Sequence, residues 1–162
     1  MNMDKILALS EYLNIKYFNH NGTYYSGANQ EEYKEFKKKE LKTKKETNTA
    51  FDEYIDDNYN LLEEEFVNNY DKYYQYGNEE YLVLTDQEAD KAAYDSVYSI
   101  WEDCYLPKNT KEQLGFLYDY IDLERATLDT IRMDGRGHTL ASYDGYENEI
   151  NFDNIHYYIY RI

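Results

Sequence analysis

The sequence predicts an α+β fold, with a mainly helical N-terminal half and a small antiparallel sheet packed on helices in the C-terminal half. Three observations lead there. Apolar residues recur at helical spacing through most of residues 1–76 and again after Thr85. Tyr81-Leu82-Val83-Leu84 is a short apolar run bounded by turn residues, as a buried strand would be. After Asp134 the pattern shifts to glycine turns and alternating residues, which suits hairpins. The chain of 162 residues divides on this reading into a helical region, 1–77, and an α+β module, 78–162, sharing one compact body.

Taken in order, Ile6, Leu7, Leu9, Tyr12 and Leu13 form the stripe of a helix over Met3–Ile15, ended by the Asn/Gly-rich stretch Asn19–Gly22. Gln30–Glu46 carries a narrow stripe of Tyr33, Phe36 and Leu41 on an otherwise charged helix. Its lysines are interleaved with Glu31, Glu32, Glu35, Glu40 and Glu46, and pairs such as Glu35 with Lys39 have the favourable i, i+4 order. Thr49 can cap a third helix running to about Tyr76, with a slip in its pattern at Asn58–Asn60 that allows two helices. Residues 81–84 read as a strand. Thr85-Asp86-Gln87-Glu88 then has the form of a capping box, opening a helix to about Cys104 with Ala89, Ala92, Ala93, Val97, Ile100, Trp101 and Cys104 on its core face. A further helix places Leu114, Leu117, Tyr118, Ile121, Leu128 and Ile131 inward. Asp144-Gly145 suits a type I′ turn and predicts a hairpin over residues 138–150, and residues 156–160 supply a last strand.

Composition limits the function. Low hydrophobicity with a net charge of −16 is also the mark of disorder, but 18% aromatic residues, 22 of them Tyr, argue for a folded chain. The charge repels nucleic acid and anionic membranes and favours basic partners. No apolar run reaches the ~20 residues that span a bilayer, and the expected location is the cytoplasm. One cysteine, Cys104, excludes an internal disulfide and reads as a core residue. No metal-ligand spacing, phosphate-binding loop or nucleophile elbow is present. The reading is of a protein that is not an enzyme and needs no cofactor or metal.

The charge is concentrated. Between Phe51 and Asp90 thirteen carboxylates face one base, Lys72, a net charge of −12 over forty residues. Solvated faces normally mix signs, as Gln30–Glu46 does; this stretch does not. Carboxylates at i, i+3 and i+4 on a helix lie roughly 5–6 Å apart, a spacing on which a protein that collects phosphates could dock. Glu53, Asp56 and Asp57 form one such ladder, Glu63, Glu64 and Glu65 another step, and Tyr54, Tyr59 and Tyr70 are candidate packing anchors. The competing reading treats the acid as a solubility device and places binding of a protein or small ligand at Arg136, His138 and Tyr143 near the predicted hairpin. Asp134, Arg136, His138 and Asp144 also suggest a metal or phosphodiester site, against which stands a self-stabilising turn with Arg136 paired to a hairpin carboxylate.

Tyr81-Leu82-Val83-Leu84-Thr85-Asp86-Gln87-Glu88-Ala89, followed by Asp134-Gly135-Arg136-Gly137-His138-Thr139-Leu140-Ala141-Ser142-Tyr143-Asp144-Gly145-Tyr146-Glu147-Asn148-Glu149, resembles a module that recurs in small bacteriophage proteins. The resemblance covers the C-terminal half. It implies an anti-CRISPR or anti-restriction inhibitor that acts as a DNA mimic on a basic host nuclease, with a Cas9-type effector as the leading target. Residues 1–76 carry no such resemblance and are the expected seat of target specificity.

Overall fold

A computed structural model describes residues 2–43, 48–70, 72–106 and 108–162, without the side chains of residues 41–43, 48–50, 68–70, 108 and 111. It has the α+β architecture and resolves into two units, Met1–Asn78 and Glu79–Ile162.

The first unit opens with α1 (Met3–Tyr12), capped by the Asn2 side chain, which accepts from the Asp4 amide at 3.1 Å. Ile6, Leu7, Ala8 and Leu9 are buried. After it, β1 (Tyr17–His20) and β2 (Thr23–Ser26) pair antiparallel across Asn21 and Gly22, whose φ of 52° and 90° make the turn. Asn-Gly favours a two-residue hairpin because both central positions need positive φ. The segment expected only to end a helix thus also starts a strand pair. α2 (Gln30–Thr43) is capped by Asn29, which accepts from the Glu31 and Glu32 amides. α3 (Asn48–Asn58) begins one residue before Thr49, the expected cap, whose side chain lies outside the described residues. Phe18, Tyr25, Ala28, Tyr33, Phe51 and Ile55 form the buried cluster between the hairpin and these helices.

The chain does not continue as helix to Tyr76. A 3-10 turn covers Leu62–Glu65, and β3 (Val67–Tyr70) pairs antiparallel with β4 (Tyr73–Tyr76). The aromatic and β-branched residues from Phe66 to Tyr76 pack better on a pleated surface than on a helix. Tyr74 is fully buried, and the Phe66 and Tyr76 rings lie 5.5 Å apart. Four strands therefore stand in a half expected to be mainly helical.

In the second unit, β5 (Glu79–Thr85) leads into α4 (Asp86–Ile100), and the Glu88 carboxylate accepts from the Thr85 amide at 2.9 Å as the capping box requires. α4 buries Ala89, Ala93 and Val97. At Trp101–Tyr105 the helix loosens to a π-helical turn, with the Leu106 amide reaching the Trp101 carbonyl at 2.8 Å. The change of pitch rotates the face, so Cys104 is exposed rather than in the core; Ile100, the last residue of α4, is also 43% exposed. α5 (Lys108–Leu114) and a 3-10 turn over Gly115–Tyr120 follow. Leu117 and Leu128, expected inward, face solvent.

α6 (Leu123–Leu140) packs on α4 and carries a break at Gly135, where φ is 80° and ψ 158°. The hairpin expected over residues 138–150 is absent, because His138–Leu140 complete α6. Gly137 decides this. A Cβ there would sit 2.6 Å from the Gly145 carbonyl oxygen, so the helix end and the returning loop approach as closely as only glycine permits. The actual hairpin joins β6 (Asn148–Phe152) to β7 (Ile155–Arg161) through Asp153 and Asn154, both at positive φ. β7 also pairs with β5, and its buried Tyr157, Ile159 and Tyr160 belong to the same core as Leu82, Val83 and Leu84.

Candidate functional site

The acidic face of the first unit is built on α3 and the 3-10 turn after it. Asp52 and Asp56, four residues apart, turn toward the β1–β2 hairpin. Asp52 meets the His20 Nε2 at 2.7 Å and accepts from the Asn21 amide nitrogen at 3.2 Å; the His20 Nδ1 meets the Tyr33 hydroxyl at 2.6 Å. The Tyr25 hydroxyl donates to Asp56 at 2.5 Å. That bond to a carboxylate, with burial, pushes the Tyr25 phenol up to about 12. Further along, the Ser26 hydroxyl donates to Glu65 at 2.7 Å, and the Ser26 amide donates to the Asn60 carbonyl at 3.0 Å. Hydrogen bonds to charged groups contribute about 1.5–3 kcal/mol each, enough to hold this face against the hairpin.

The next strip round the helix behaves differently. Glu53 and Asp57 on α3 and Glu63 and Glu64 on the 3-10 turn are exposed, and none makes an ion pair among the described residues. Of the six candidate carboxylates, Asp56 and Glu65 are thus anchors and the other four are free charges on an anchored frame. Tyr54 is 42% exposed and stacks on Phe36 at 5.1 Å. Tyr59 meets Phe18 edge-on at 5.0 Å and belongs to the core margin. The Tyr70 side chain lies outside the described residues.

The neighbouring lysines are partly engaged. Lys34 pairs with Glu31 and Lys16 with Glu32, each at 2.7 Å, and the Lys37 ammonium lies 5.7 Å from the ring centres of both Tyr33 and Phe51.

On the second unit, Arg136, His138 and Tyr143 do not form one site. Arg136 is committed: its guanidinium makes a two-bond contact with Glu147, reaches Asp86 and Asp90, and lies 4.4 Å from the Tyr158 ring centre. Burial works against its charge, yet the hydrogen bonds to Glu147 and Asp86 outweigh it and hold the group well above its ordinary value. The Arg161 guanidinium lies 3.9 Å from the Tyr143 ring centre, and Tyr143 remains 65% exposed. His138 is exposed and lines a separate cavity. Among the described residues no group of three His, Cys, Asp or Glu could hold a metal ion, and no helix is long and apolar enough to cross a membrane.

The His20, Tyr33 and Asp52 network escapes the sequence pattern, since its members are 13 and 32 residues from His20. Asn21-Gly22 is the one local signal for it, because the hairpin it makes brings His20 under α3. No protein-family profile matches the chain, and neither a curated protein nor a solved structure does.

Proposed function

We propose that the protein is an acidic decoy: it occupies the nucleic-acid-binding surface of a basic protein in the cytoplasm and keeps nucleic acid out. The observation that supports this reading most is the division of labour on the α3 face. Asp52, Asp56 and Glu65 are fixed to the β1–β2 hairpin, while Glu53, Asp57, Glu63 and Glu64 are exposed beside them without counter-charges among the described residues. A backbone frame held in place loses less freedom on binding, and that favours a docking surface over a merely soluble one. A partner that spends Lys and Arg on phosphates meets comparable charge here, and the complex weakens with salt as phosphate contacts do.

A nuclease of host defence is the target class, and a guide-loaded Cas9-type effector, which holds its heteroduplex in a positively charged channel, is the first to test. The experiment measures target-duplex binding by that complex as the protein is added, at several salt concentrations. The parent should compete at low salt and lose potency steeply as salt rises. A variant carrying Glu53→Lys, Asp57→Lys, Glu63→Lys and Glu64→Lys should not compete. Equal competition by parent and variant sinks the mimicry reading; absence of competition by the parent removes this target.

A further inference from the structure

The second unit has a cavity of about 520 Å³ that the acidic face does not involve. It opens between the end of α4, the π-helical turn and the middle of α6, with Ile100, Trp101, Tyr105, Thr130, Asp134 and His138 on its walls. That volume falls within the ~300–1,000 Å³ usual for small-molecule sites.

Two backbone irregularities meet at it. One wall is the π-helical turn Trp101–Tyr105; the other is the stretch of α6 broken at Gly135, the residue after Asp134. π-helical turns recur at functional sites, and sequences depart from regular local structure chiefly where function asks for it. Trp101 and Tyr105 present their rings 5.0 Å apart at 47°, and the indole N–H donates to the Thr130 hydroxyl at 3.3 Å, which sets the ring's orientation.

Charge selects the ligand. Among the described residues Asp134 makes no ion pair and no Lys or Arg lines the cavity. Of the two guanidiniums nearest in sequence, Arg136 is turned to Asp86, Asp90 and Glu147 and Arg132 to Asp129. An unmatched carboxylate beside two electron-rich rings suits a cation with a flat body, since ring faces attract cations and the carboxylate receives their N–H groups. The net charge of −16 concentrates such ions near the surface.

We propose that this cavity binds a small planar organic cation, an aromatic ring bearing an amidinium, guanidinium or ammonium group, against the face made by Trp101 and Tyr105 with its charge on Asp134. The ligand's ring packs against the indole and phenol, and its cationic end pairs with the Asp134 carboxylate.

Isothermal titration calorimetry of the full chain with benzamidine, neutral benzamide and anionic benzoate tests this. Benzamidine should bind one per chain, at least tenfold tighter than benzamide, and benzoate should not bind. Asp134→Asn, an exposed substitution, should weaken benzamidine tenfold or more and leave benzamide unchanged. Tyr105→Ala should weaken both, while Glu53→Gln, on the other unit, should change neither. Equal affinity for benzamidine and benzamide overturns the proposal, as does benzoate binding. So does an Asp134→Asn effect no larger than that of Glu53→Gln, which would mean diffuse attraction to an acidic surface. No heat from benzamidine at millimolar concentration also overturns it. None of these outcomes touches the acidic face, so the decoy reading stands or falls separately.

Discussion

Arg136 and Glu147 meet fork to fork, Nε donating to Oε2 at 2.9 Å and Nη2 to Oε1 at 3.0 Å, while Nη1 donates to Asp86 and Asp90 at 2.8 Å each. One side chain, 15% exposed, thereby ties the end of α6 to the start of α4 and to the loop before β6. Glu147 is shared with the Tyr160 hydroxyl, which donates to it at 2.6 Å.

Removing that fork leaves Glu147 half-buried without its cation. Arg136→Ala should cost about 2–3 kcal/mol of unfolding free energy in urea titration, somewhat below the penalty for breaking a fully buried pair because Asp86 and Asp90 stay solvated. Arg136→Lys should recover less than half of it, since an ammonium cannot make the two parallel bonds or lie flat on Tyr158. A loss under about 0.5 kcal/mol for Arg136→Ala would show that the clamp is a surface ornament.

Alkaline stability should depend on Tyr25. Its folded phenol lies near 12 against an ordinary 10, so the neutral form is the one the fold prefers. A raised folded value contributes stability that is fully present below the unfolded value and disappears as pH climbs through the folded one. The parent should therefore lose stability between about pH 10 and 12, and Tyr25→Phe should lose less over that interval while starting lower, having given up the bond to Asp56. Identical slopes for the two proteins would deny the hydrogen bond its role.

The acidic face makes a prediction about stability as well as binding. Glu53→Gln, Asp57→Asn, Glu63→Gln and Glu64→Gln should each leave thermal unfolding within about 0.5 kcal/mol of the parent, or raise it slightly by relieving repulsion. Asp56→Asn and Glu65→Gln should cost about 1–2 kcal/mol each, because each weakens a bond to Tyr25 or Ser26. If all six behave alike, the distinction between anchoring and free carboxylates fails.

Gly137→Ala should destabilise by at least about 2 kcal/mol, an overpacking effect against backbone that cannot turn aside. The neighbours are the Gly145 carbonyl oxygen at 2.6 Å and the Glu147 amide nitrogen at 2.9 Å from the added carbon. A variant as stable as the parent in calorimetric unfolding would require the loop to have moved, which amide chemical shifts of Gly145–Glu147 would reveal.

Local features were legible where one interpretation of the residues was available. The run Tyr81–Leu84 and the Thr85–Glu88 pairing point to β5 and α4 without outside help, and Arg136 does pair with Glu147, inside the span expected as a hairpin. Leu61, Leu62, Phe66, Tyr70 and Tyr73 fit a helical stripe and an extended one about equally, and pairing with β4, not spacing, settles the matter. Residues 138–143 alternate as a strand would, but the contact of Gly137 with Gly145–Glu147 is non-local and overrides it. Likewise the carboxylates that anchor the acidic face are chosen by partners 31 and 39 residues away, Tyr25 and Ser26, which no pattern along α3 records. The cavity beside Trp101 depends on a pitch change that helix propensity does not announce.

Trp101 has an optical consequence. The chain has 22 tyrosines and a single tryptophan, and that indole belongs to the unit Glu79–Ile162. Emission excited at the red edge of the spectrum is therefore a gauge of one unit alone, whereas far-ultraviolet dichroism averages both. If the units melt independently, Arg136→Ala shifts the emission transition and Tyr25→Phe leaves it in place; a shared shift in both would mean a single cooperative transition for the whole chain.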